Sequence, residues 1–472
     1  MSTTTELTMT HADSLHADPR IAEAKRLILE AVADHQQHLT SVRAPRPELA
    51  DNYQQLLMEF GHMRGGALYF PYLSSGLGNG PWVELANGSV KLDMITGIGV
   101  HGFGHSHPAL VKAGIDAALS DTVMQGNLQQ DTASVRFTRR VVEAACQSGA
   151  GLRHCFLSTS GAMANENALK IAFQRNAPAN RILAFERCFA GRTLVLSQVT
   201  DKAAYRQGLP DTIAVDYLPF FDARDPVGST QRTLDKFHEH LHRHPGKYAC
   251  LWMELVQGEG GYHVGDRAFF RALCEMARQH HIAVAADEVQ SFGRTTRLFA
   301  FQHYELDELV DIVSIGKISQ VCATLFNDDY KPRPGLISQT FTGSTWSILA
   351  GDVIVQTLLE DGFFGPQGRI AQLHQRFAGH LQRLAKRFPQ AVSGPFGIGG
   401  MVAFTPFDGS ADKAKTLCMK LFDAGLMSFV AGADPTRLRF LMPLGCVQDE
   451  HIDIAGQIIE RVMEELIQVG AC

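Results

Sequence analysis

The sequence predicts an α/β protein in which a mostly parallel central sheet is covered by helices and joined to a smaller α+β domain. From about residue 105 to residue 320, short apolar runs alternate with amphipathic stretches, which is typical of parallel strands connected by helices. The runs that we interpret as buried strands are RHCFLS, RILAFE, YACLWMEL, IAVAADEV and DIVSIG. From about residue 356 the pattern changes to long amphipathic helices and two strand-like runs, which predicts the smaller domain.

The order of these elements predicts four segments along the chain. They are a tail and helical segment (1–65), the N-terminal part of the small domain (66–104), the large domain (105–355) and the C-terminal part of the small domain (356–472). Residues 1 to about 20 are expected to be a disordered tail, followed by helices. Apolar runs on both sides of Asn87 and Gly88 predict a β-hairpin.

Composition excludes several classes of protein. Of the 472 residues, 45% are hydrophobic and 19% are charged, and the net charge is -6, which argues against a disordered chain and against a nucleic-acid-binding surface. The cysteine count is nine, an odd number, and no CxxC spacing occurs, so we expect reduced thiols and a cytoplasmic location. The polar N-terminus does not resemble a secretory signal, and no apolar stretch approaches the ~20 residues of a membrane span.

Two further patterns are weak. The residues from Gly97 to Gly102 match GxGxxG, but no helix follows directly, as a dinucleotide-binding turn would require. His101, His105 and His107 lie close together in the sequence, yet no second cluster of metal ligands accompanies them. We therefore favour loop histidines and expect no metal site.

A candidate anion site follows the first predicted strand of the large domain. In FLSTSGAMANE, a strand is followed by a turn containing Ser160 and Gly161, and then by an alanine-rich helix beginning near Ala162. Free amides at a helix N-terminus, together with the helix dipole, favour a phosphate group there. On this evidence alone, an ordinary helix N-cap is the favoured interpretation of Ser160.

Two charged residues follow other predicted strands. Asp287 comes directly after the apolar run IAVAA, and ligands of open α/β sheets bind at this end of the strands. Lys317 follows DIVSIG, and burial there would disfavour its charge and leave a nucleophilic amine. A salt bridge for Asp287 and a lysine that extends to solvent are the alternative interpretations.

A phosphate site, a carboxylate and an amine at neighbouring strand ends together fit pyridoxal 5'-phosphate. The helix N-terminus would hold the phosphate, Asp287 would keep the pyridine nitrogen protonated, and Lys317 would form the Schiff base.

The chain at this point resembles the class III pyridoxal-phosphate-dependent aminotransferases of fold type I. The resemblance covers roughly residues 65–465, and its motif style is most similar to lysine ε-aminotransferase and 4-aminobutyrate aminotransferase. The motifs that carry it, in family order, are NGSVKLD (87–93), GHSHP (104–108), SGAMANE (160–166), FAGRT (189–193), ELVQGEGG (254–261), DEVQSFGRT (287–295), GK (316–317), GSTW (343–346) and LRFLMPL (438–444).

The resemblance implies a role for each matching position. For the cofactor it implies Lys317 and Asp287 as catalytic residues, and as binding residues Ser160, Gly161, Ala162, Phe189, Val289, Gln290 and Thr345. Phe189 and Val289 would pack on the two faces of the ring, and Gln290 would reach its phenolic oxygen. Thr345 would reach the phosphate of the neighbouring subunit, which implies a homodimer with shared active sites. For the substrate it implies Arg192 as a carboxylate clamp, and Arg439 as an α-carboxylate site that Glu259 covers when the amino donor lacks that group.

The sequence departs from the family pattern at several positions near the cofactor. They include Met163, Ala190 and Leu255, and Ile318 stands where the branch can have a second lysine. The implied function is transfer of an amino group, with an ω-amino group favoured, from an amino acid to a keto acid such as 2-oxoglutarate by a ping-pong mechanism. A decarboxylase, racemase or aminomutase on the same scaffold is the alternative reaction, and a catalytically inactive regulator or a purely structural protein are more distant ones. No membrane or nucleic-acid partner is expected.

Overall fold

A computed structural model describes residues 9–468 of the chain. Its helices are α1 (His11–His16), α2 (Pro19–Gln36), α3 (Ala50–Met63), α4 (Thr96–Gly99), α5 (Pro108–Ala118), α6 (Thr132–Cys146), α7 (Gly161–Arg175), α8 (Leu196–Val199), α9 (Pro226–Arg243), α10 (Arg267–Gln279), α11 (Ala300–His303), α12 (Thr345–Glu360), α13 (Arg369–Arg387), α14 (Ala411–Asp423) and α15 (Asp449–Gln468). Short 3₁₀ helices occupy Pro47–Leu49, Ala203–Tyr205, Lys317–Ser319 and Asp328–Tyr330.

The strands form one large sheet and smaller ones. They are β1 (Ser74–Asn79), β2 (Trp82–Leu85), β3 (Val90–Asp93), β4 (Met124–Gln125), β5 (His154–Ser158), β6 (Arg181–Phe185), β7 (Ala214–Leu218), β8 (Tyr248–Met253), β9 (Val256–Gln257), β10 (His263–Val264), β11 (Ala283–Glu288), β12 (Ile312–Ile315), β13 (Cys322–Phe326), β14 (Gly343–Ser344), β15 (Val392–Ile398), β16 (Met401–Pro406), β17 (Leu426–Met427), β18 (Phe429–Ala431) and β19 (Arg437–Leu441).

The large sheet has the strand order β5-β13-β12-β11-β8-β6-β7. Its strands are parallel except β13, which runs antiparallel to both β12 and β5. The prediction of an α/β fold with a mostly parallel sheet is therefore confirmed, as are its five predicted strands. The reversed strand β13 was not predicted, because a tight 3₁₀ turn at Lys317–Ser319 returns the chain without the helix that signals a parallel connection.

The helices cover this sheet through one-sided apolar faces. Helix α10 shows the cause: it is capped by the Asp266 side chain, and its buried residues recur every three or four positions, at Phe269, Phe270, Leu273, Cys274, Met276 and Ala277. Strands β8 and β11, which α10 packs against, are buried along their whole length. Continuous burial explains why these strands have no alternating polar residues.

Two further four-stranded sheets are present. One combines segments that precede and follow the large sheet in the chain, and the other is built only from segments that follow it. One has the order β1-β2-β3-β17, where β3 pairs in parallel with β17, and the other has the order β15-β16-β19-β18. The predicted hairpin is present, since β2 and β3 pair antiparallel around Asn87 and Gly88. The pairing of β3 with β17 supports a small domain assembled from both ends of the chain, while the boundaries of the four segments remain a prediction.

The N-terminal region differs from the expected tail. Residues 11–16 form a helix, because Thr10 and Asp13 exchange hydrogen bonds in a capping box at its start. The prediction of disorder is wrong for these residues, and residues 1–8 lie outside the described part of the chain. Across residues 9–468, no helix is both long and apolar enough to cross a membrane.

Candidate active site

Three strand ends of the large sheet bring the predicted cofactor residues to one edge. In the register of β11 and β12, Asp287 lies opposite Ser314, so Lys317 follows three positions later, just beyond the same edge. Strand β5 is parallel to β12 because both pair antiparallel with β13, and the Ser160 turn therefore leaves the sheet on the same side. The parallel topology thus places an acid, an amine and a helix N-terminus together.

Asp287 is a buried carboxylate held from two sides. Its Oδ1 accepts a hydrogen bond from the Val289 amide at 3.0 Å, and its Oδ2 accepts one from Asn165 Nδ2 at 2.7 Å. Burial raises the pKa of the Asp287 carboxyl to about 6, although the Val289 and Asn165 hydrogen bonds and the charge of Lys317 act in the opposite direction. A carboxylate oxygen can accept more than one hydrogen bond, so the site can still receive a positively charged N–H group.

Lys317 begins a 3₁₀ turn directly after β12, with a backbone φ of +56°. Its amine makes no hydrogen bond or ion pair with any other group of residues 9–468. Burial lowers the pKa of this amine below its ordinary value, which increases the fraction present as the neutral nucleophile. The turn therefore presents an unpaired, partly buried amine near the Asp287 carboxylate.

The anion site predicted after β5 is the N-terminus of α7. Ser160 is its N-cap, and Ser160 Oγ accepts a hydrogen bond from the Met163 amide at 3.2 Å. The amides of Gly161 and Ala162 precede the first intrahelical hydrogen bond and remain free for an anion. The capping role and an anion-binding role are compatible, because they use different donors.

Gly161 packs against Val289 so closely that a side chain does not fit. A Cβ atom on Gly161 would lie 2.6 Å from Val289 Cγ1, and one on Gly316 would lie 3.1 Å from the same atom. Val289 therefore fills the space between the α7 N-terminus and the strand that leads to Lys317. The two glycines allow the phosphate-binding turn and the lysine turn to approach each other.

We expect Gly161→Ala to lower the free energy of unfolding by about 1–3 kcal/mol, because valine is stiff and the turn must move. Thermal or urea unfolding of the apoprotein measures this loss. Val289→Ala should recover part of it in the double variant, whereas Gly66→Ala, where a Cβ meets nothing within 4 Å, should be neutral. Additive effects of the Gly161 and Val289 substitutions would contradict this packing.

Glu254 organises the backbone on the other side of the site. Its two oxygens accept hydrogen bonds from the Phe189 amide at 2.8 Å and the Gly258 amide at 3.0 Å. Burial, together with the nearby Asp287 charge, raises the pKa of Glu254 to about 8. Asn165 Nδ2 also donates to the Ala190 carbonyl at 2.7 Å. The segment that carries Phe189 is therefore tied to Asp287 through Asn165, and to the Gly258 turn through Glu254.

Glu259 and Arg439 form an ion pair next to these residues. Arg439 is fully buried, and its NH2 group lies 2.6 Å from Glu259 Oε1. Burial, the largest single cause, favours the protonated form of Glu259, but the charge and hydrogen bond of Arg439, together with the Lys317 charge and the Gln290 hydrogen bond, outweigh it and the pKa of Glu259 is lowered. Gln290 Oε1 lies 3.4 Å from Arg439 NH1. Gln290, which is predicted to reach the phenolic oxygen of the cofactor, therefore lies beside Arg439, which is predicted to bind the α-carboxylate of the keto acid.

Two predicted residues lie outside this group. The Arg192 side chain is exposed, and its guanidinium carbon lies 3.9 Å from the centroid of the Tyr205 ring, which in turn contacts Phe189 edge-on. Thr345 is buried at the start of α12, where its hydroxyl donates a hydrogen bond to the Thr122 carbonyl and accepts one from Gln125 Nε2. The structure does not bring the Arg192 guanidinium or the Thr345 hydroxyl into contact with the other predicted residues.

The two patterns that we judged weak have structural explanations. Gly97 and Ile98 have φ values of +62° and +60°, so the four-residue segment α4 is a left-handed turn at its centre, and the GxGxxG match does not begin a regular helix. His105 Nε2 lies 3.0 Å from Asp93 Oδ2, whose other oxygen accepts the amides of Ile95 and Thr96. No group of three potential metal ligands occurs among residues 9–468.

Asn165 and Glu254 both lie within the family motifs, but the sequence predicted no role for either of them. Asn165 follows Gly161 by four positions and therefore lies on the same face of α7, a spacing that could have indicated contact with the site. Nothing in the local sequence indicates that Glu254 binds two backbone amides, because both lie in other turns.

The donors and acceptors present fit pyridoxal 5'-phosphate. The free amides of the α7 N-terminus suit its phosphate, the half-satisfied Asp287 carboxylate suits its ring nitrogen, and the unpaired Lys317 amine suits its aldehyde.

Comparison with known proteins agrees with this chemistry. The family model described as aminotransferase class-III matches residues 72–463. An acetylornithine aminotransferase of Methanocaldococcus jannaschii is 29% identical over 404 residues, covering 82% of this chain and 93% of that protein. One of Prochlorococcus marinus is 28% identical over 399 residues, covering 82% and 91%.

A solved structure of lysine aminotransferase from M. tuberculosis has a TM-score of 0.74 and 25% sequence identity, covering 82% of this chain and 93% of that one. The predicted resemblance, fold type and cofactor are confirmed. The chain belongs to the class III aminotransferases, pyridoxal-phosphate-dependent enzymes that move an amino group from an amino donor to a keto acid.

Proposed function

We propose that this enzyme takes the ω-amino group of an amino acid and passes it to a keto acid such as 2-oxoglutarate in a ping-pong reaction. The observation that carries the proposal is the meeting of Asp287, Lys317 and the α7 N-terminus at one edge of the sheet. The relatives that act on acetylornithine and lysine support a donor that carries its amino group at the end of a side chain.

Each residue of the site has a proposed role in holding the cofactor. Ser160, Gly161 and Ala162 would bind the phosphate, Phe189 and Val289 would pack on the two faces of the ring, and Gln290 would reach its phenolic oxygen. Bound there, pyridoxal phosphate supplies an electron sink for the pair left when the carbon bearing the amino group loses its proton. Asp287 would stabilise positive charge on the ring nitrogen.

Lys317 has two proposed tasks. Its amine would hold the cofactor aldehyde before the donor arrives, and once released it would carry the proton between the donor carbon and the cofactor. The lowered pKa of Lys317 suits both tasks, because each requires the neutral amine. The lack of a competing partner leaves the amine free to move between them.

The ion pair of Glu259 and Arg439 has a proposed role in accepting two kinds of substrate. With the pair closed, as it is at 2.6 Å, the pocket would receive a donor end that lacks a carboxylate. When a keto acid enters, its α-carboxylate would take the place of Glu259 on the Arg439 guanidinium. This exchange would let one pocket serve both half-reactions.

A homodimer with shared active sites is part of the proposal. Exposed apolar side chains surround the paired strands β4 and β14 beside Thr345: Val123, Leu128, Phe341 and Trp346. Apolar clusters of this kind mark protein interfaces. On this proposal Thr345 lies at the edge of the interface, from which it would reach the phosphate of the second subunit. A cytoplasmic location is supported by eight cysteines without disulfides among the described residues.

A panel of amino donors tests the proposed reaction. Lysine, ornithine, acetylornithine and 4-aminobutyrate, each assayed with 2-oxoglutarate and with pyruvate, should show transfer from at least one ω-amino donor, with initial rates of ping-pong form. Release of carbon dioxide or donor racemisation without consumption of the keto acid would favour the alternative reactions.

The same assay tests the proposed role of Arg192. Arg192→Ala should raise the KM of the preferred donor about tenfold or more, because a charged hydrogen bond to its carboxylate is lost. Arg224→Ala, in which another exposed arginine is removed, is the matched control and should change neither kcat nor KM. An unchanged donor KM in Arg192→Ala would refute the clamp.

A further inference from the structure

Three basic residues, Arg187, His263 and Arg437, lie together around Gly260 and Gly261, next to Glu259 in the sequence. A Cβ atom on Gly260 would lie 2.7 Å from the Arg187 carbonyl oxygen. One on Gly261 would lie 3.6 Å from Arg437 Cδ and 3.7 Å from His263 Nε2. Neither Arg187 nor Arg437 belongs to the motifs by which the family was identified.

Arg437 is a buried cation without a carboxylate partner. It is 8% exposed, and its NH1 group donates to the Gly261 carbonyl at 2.6 Å. The guanidinium carbon lies 3.6 Å from the centroid of the Phe396 ring, and its buried Nε has no hydrogen-bond partner. It forms no ion pair with any of residues 9–468, although a buried charge is costly unless it is paired.

Arg187 is the more accessible of the two arginines. Its backbone lies in the left-handed region, with a φ of +64°, and its amide donates to Asp201 Oδ2 at 2.7 Å. Its guanidinium forms neither an ion pair nor a hydrogen bond within the described chain. Burial, followed by the charge of Arg187, lowers the pKa of Arg437 to about 10. Burial and both arginines lower the pKa of His263 to about 4. The two guanidinium groups therefore repel each other, and neither is paired with an acidic side chain among residues 9–468.

Arg187 lines a cavity of about 260 Å³ that also contains Phe189, Tyr205 and Glu259. Phe189 and Glu259 connect this cavity to the residues around Asp287 and Lys317. The lining has two acids: Glu259 is neutralised by Arg439, whereas Asp201 accepts the Arg187 amide, keeps its charge and offsets one of the basic side chains. Lys202 adds a further positive charge to the lining, so the outer end of the cavity has an excess of positive charge.

We infer that Arg187 binds a carboxylate at the end of the substrate remote from the reacting carbon, and that Arg437 strengthens this subsite from behind its glycine wall. The inference rests on the proposed function, because the substrates of that reaction are carboxylic acids and the cavity shares Phe189 and Glu259 with the proposed site. The subsite selects substrates that carry an acidic group at the end remote from the reacting carbon over substrates with a neutral or basic group there. Arg192 is a separate candidate, since its guanidinium stacks on Tyr205 and is not part of the cavity lining.

Binding of simple acids to the holoenzyme tests the subsite without turnover. Isothermal titration calorimetry compares adipate with hexanoate, which has the same chain length and a single carboxylate. The wild-type holoenzyme should bind adipate about tenfold or more tightly than hexanoate, and Arg187→Gln should abolish this preference. Arg437→Met should weaken it, while Arg224→Gln should leave it unchanged.

The outcomes separate this inference from its alternatives. A preference that persists in Arg187→Gln, or equal binding of the two acids by the wild type, would overturn the inference. A preference lost in Arg192→Gln but kept in Arg187→Gln would assign the subsite to Arg192 instead. The donor panel, run on the same preparations, keeps the two proposals distinct. If amino transfer occurs but the preference for adipate over hexanoate does not depend on Arg187, only the subsite is refuted. If that preference depends on Arg187 but no amino transfer occurs, only the proposed reaction is refuted.

Discussion

Replacing Lys317 with alanine is expected to lower the turnover number by at least about 10³-fold while leaving the fold intact. On the proposed mechanism, the variant loses both the nucleophile that holds the cofactor aldehyde and the base that moves the substrate proton. Lys317 occupies a turn after β12 and makes no hydrogen bond or ion pair through its amine with residues 9–468, so its removal breaks no contact of the protein itself. Single-turnover assays and the visible absorbance of the lysine-bound cofactor measure the effect.

Two controls make this result specific to the Lys317 amine. Lys170→Ala removes an exposed lysine from α7 and should retain both activity and absorbance. Lys317→Arg keeps a positive charge but no amine that can react, and should be as inactive as the alanine variant. An alanine variant with more than a tenth of wild-type turnover would exclude Lys317 as the reacting group.

The sequence predicted the central part of the site because all of it follows strands. Asp287, Lys317 and Ser160 each come directly after an apolar run, and parallel strands bring such positions to one edge of a sheet. The antiparallel strand β13 between β5 and β12 did not disturb this inference, since two reversals restore the original direction. Local patterns were thus sufficient wherever the sheet itself sets the geometry.

Contacts between distant segments were not predictable in this way. Arg187 after β6, His263 in β10 and Arg437 in β19 lie together in the structure, but no pattern in the sequence indicates that these three elements are neighbours. Arg192 was interpreted through its motif alone, whereas its stacking on Tyr205 depends on a turn whose path no periodicity describes. Side-chain pairs of this kind are set by tertiary packing, so they require the folded structure.

Asp287→Asn is the second substitution with a large expected effect, and it should act on activity and stability in opposite directions. Loss of the charge that we propose faces the ring nitrogen should lower kcat by about 10²–10³-fold, as for other preorganised electrostatic groups. The same change should stabilise the apoprotein near neutral pH. Burial raises the pKa of Asp287 from 3.8 to about 6, so the folded protein bears the cost of a buried anion above pH 6 and is relieved of it below 3.8.

The difference in unfolding free energy between Asp287→Asn and the wild type should therefore reach about 1–3 kcal/mol at pH 7 and disappear as the pH falls towards 4. The new amide group faces Asn165 Nδ2, which also donates to the Ala190 carbonyl and cannot rotate without losing that hydrogen bond, so this contact offsets part of the gain. Urea unfolding of the two apoproteins across this pH range measures the difference, and Asn165→Ala, which keeps the Asp287 charge, should not reproduce its pH dependence. If Asp287→Asn destabilised the apoprotein equally at every pH, Asp287 would be a hydrogen-bonding residue of the core, and its charge would not be maintained for the cofactor.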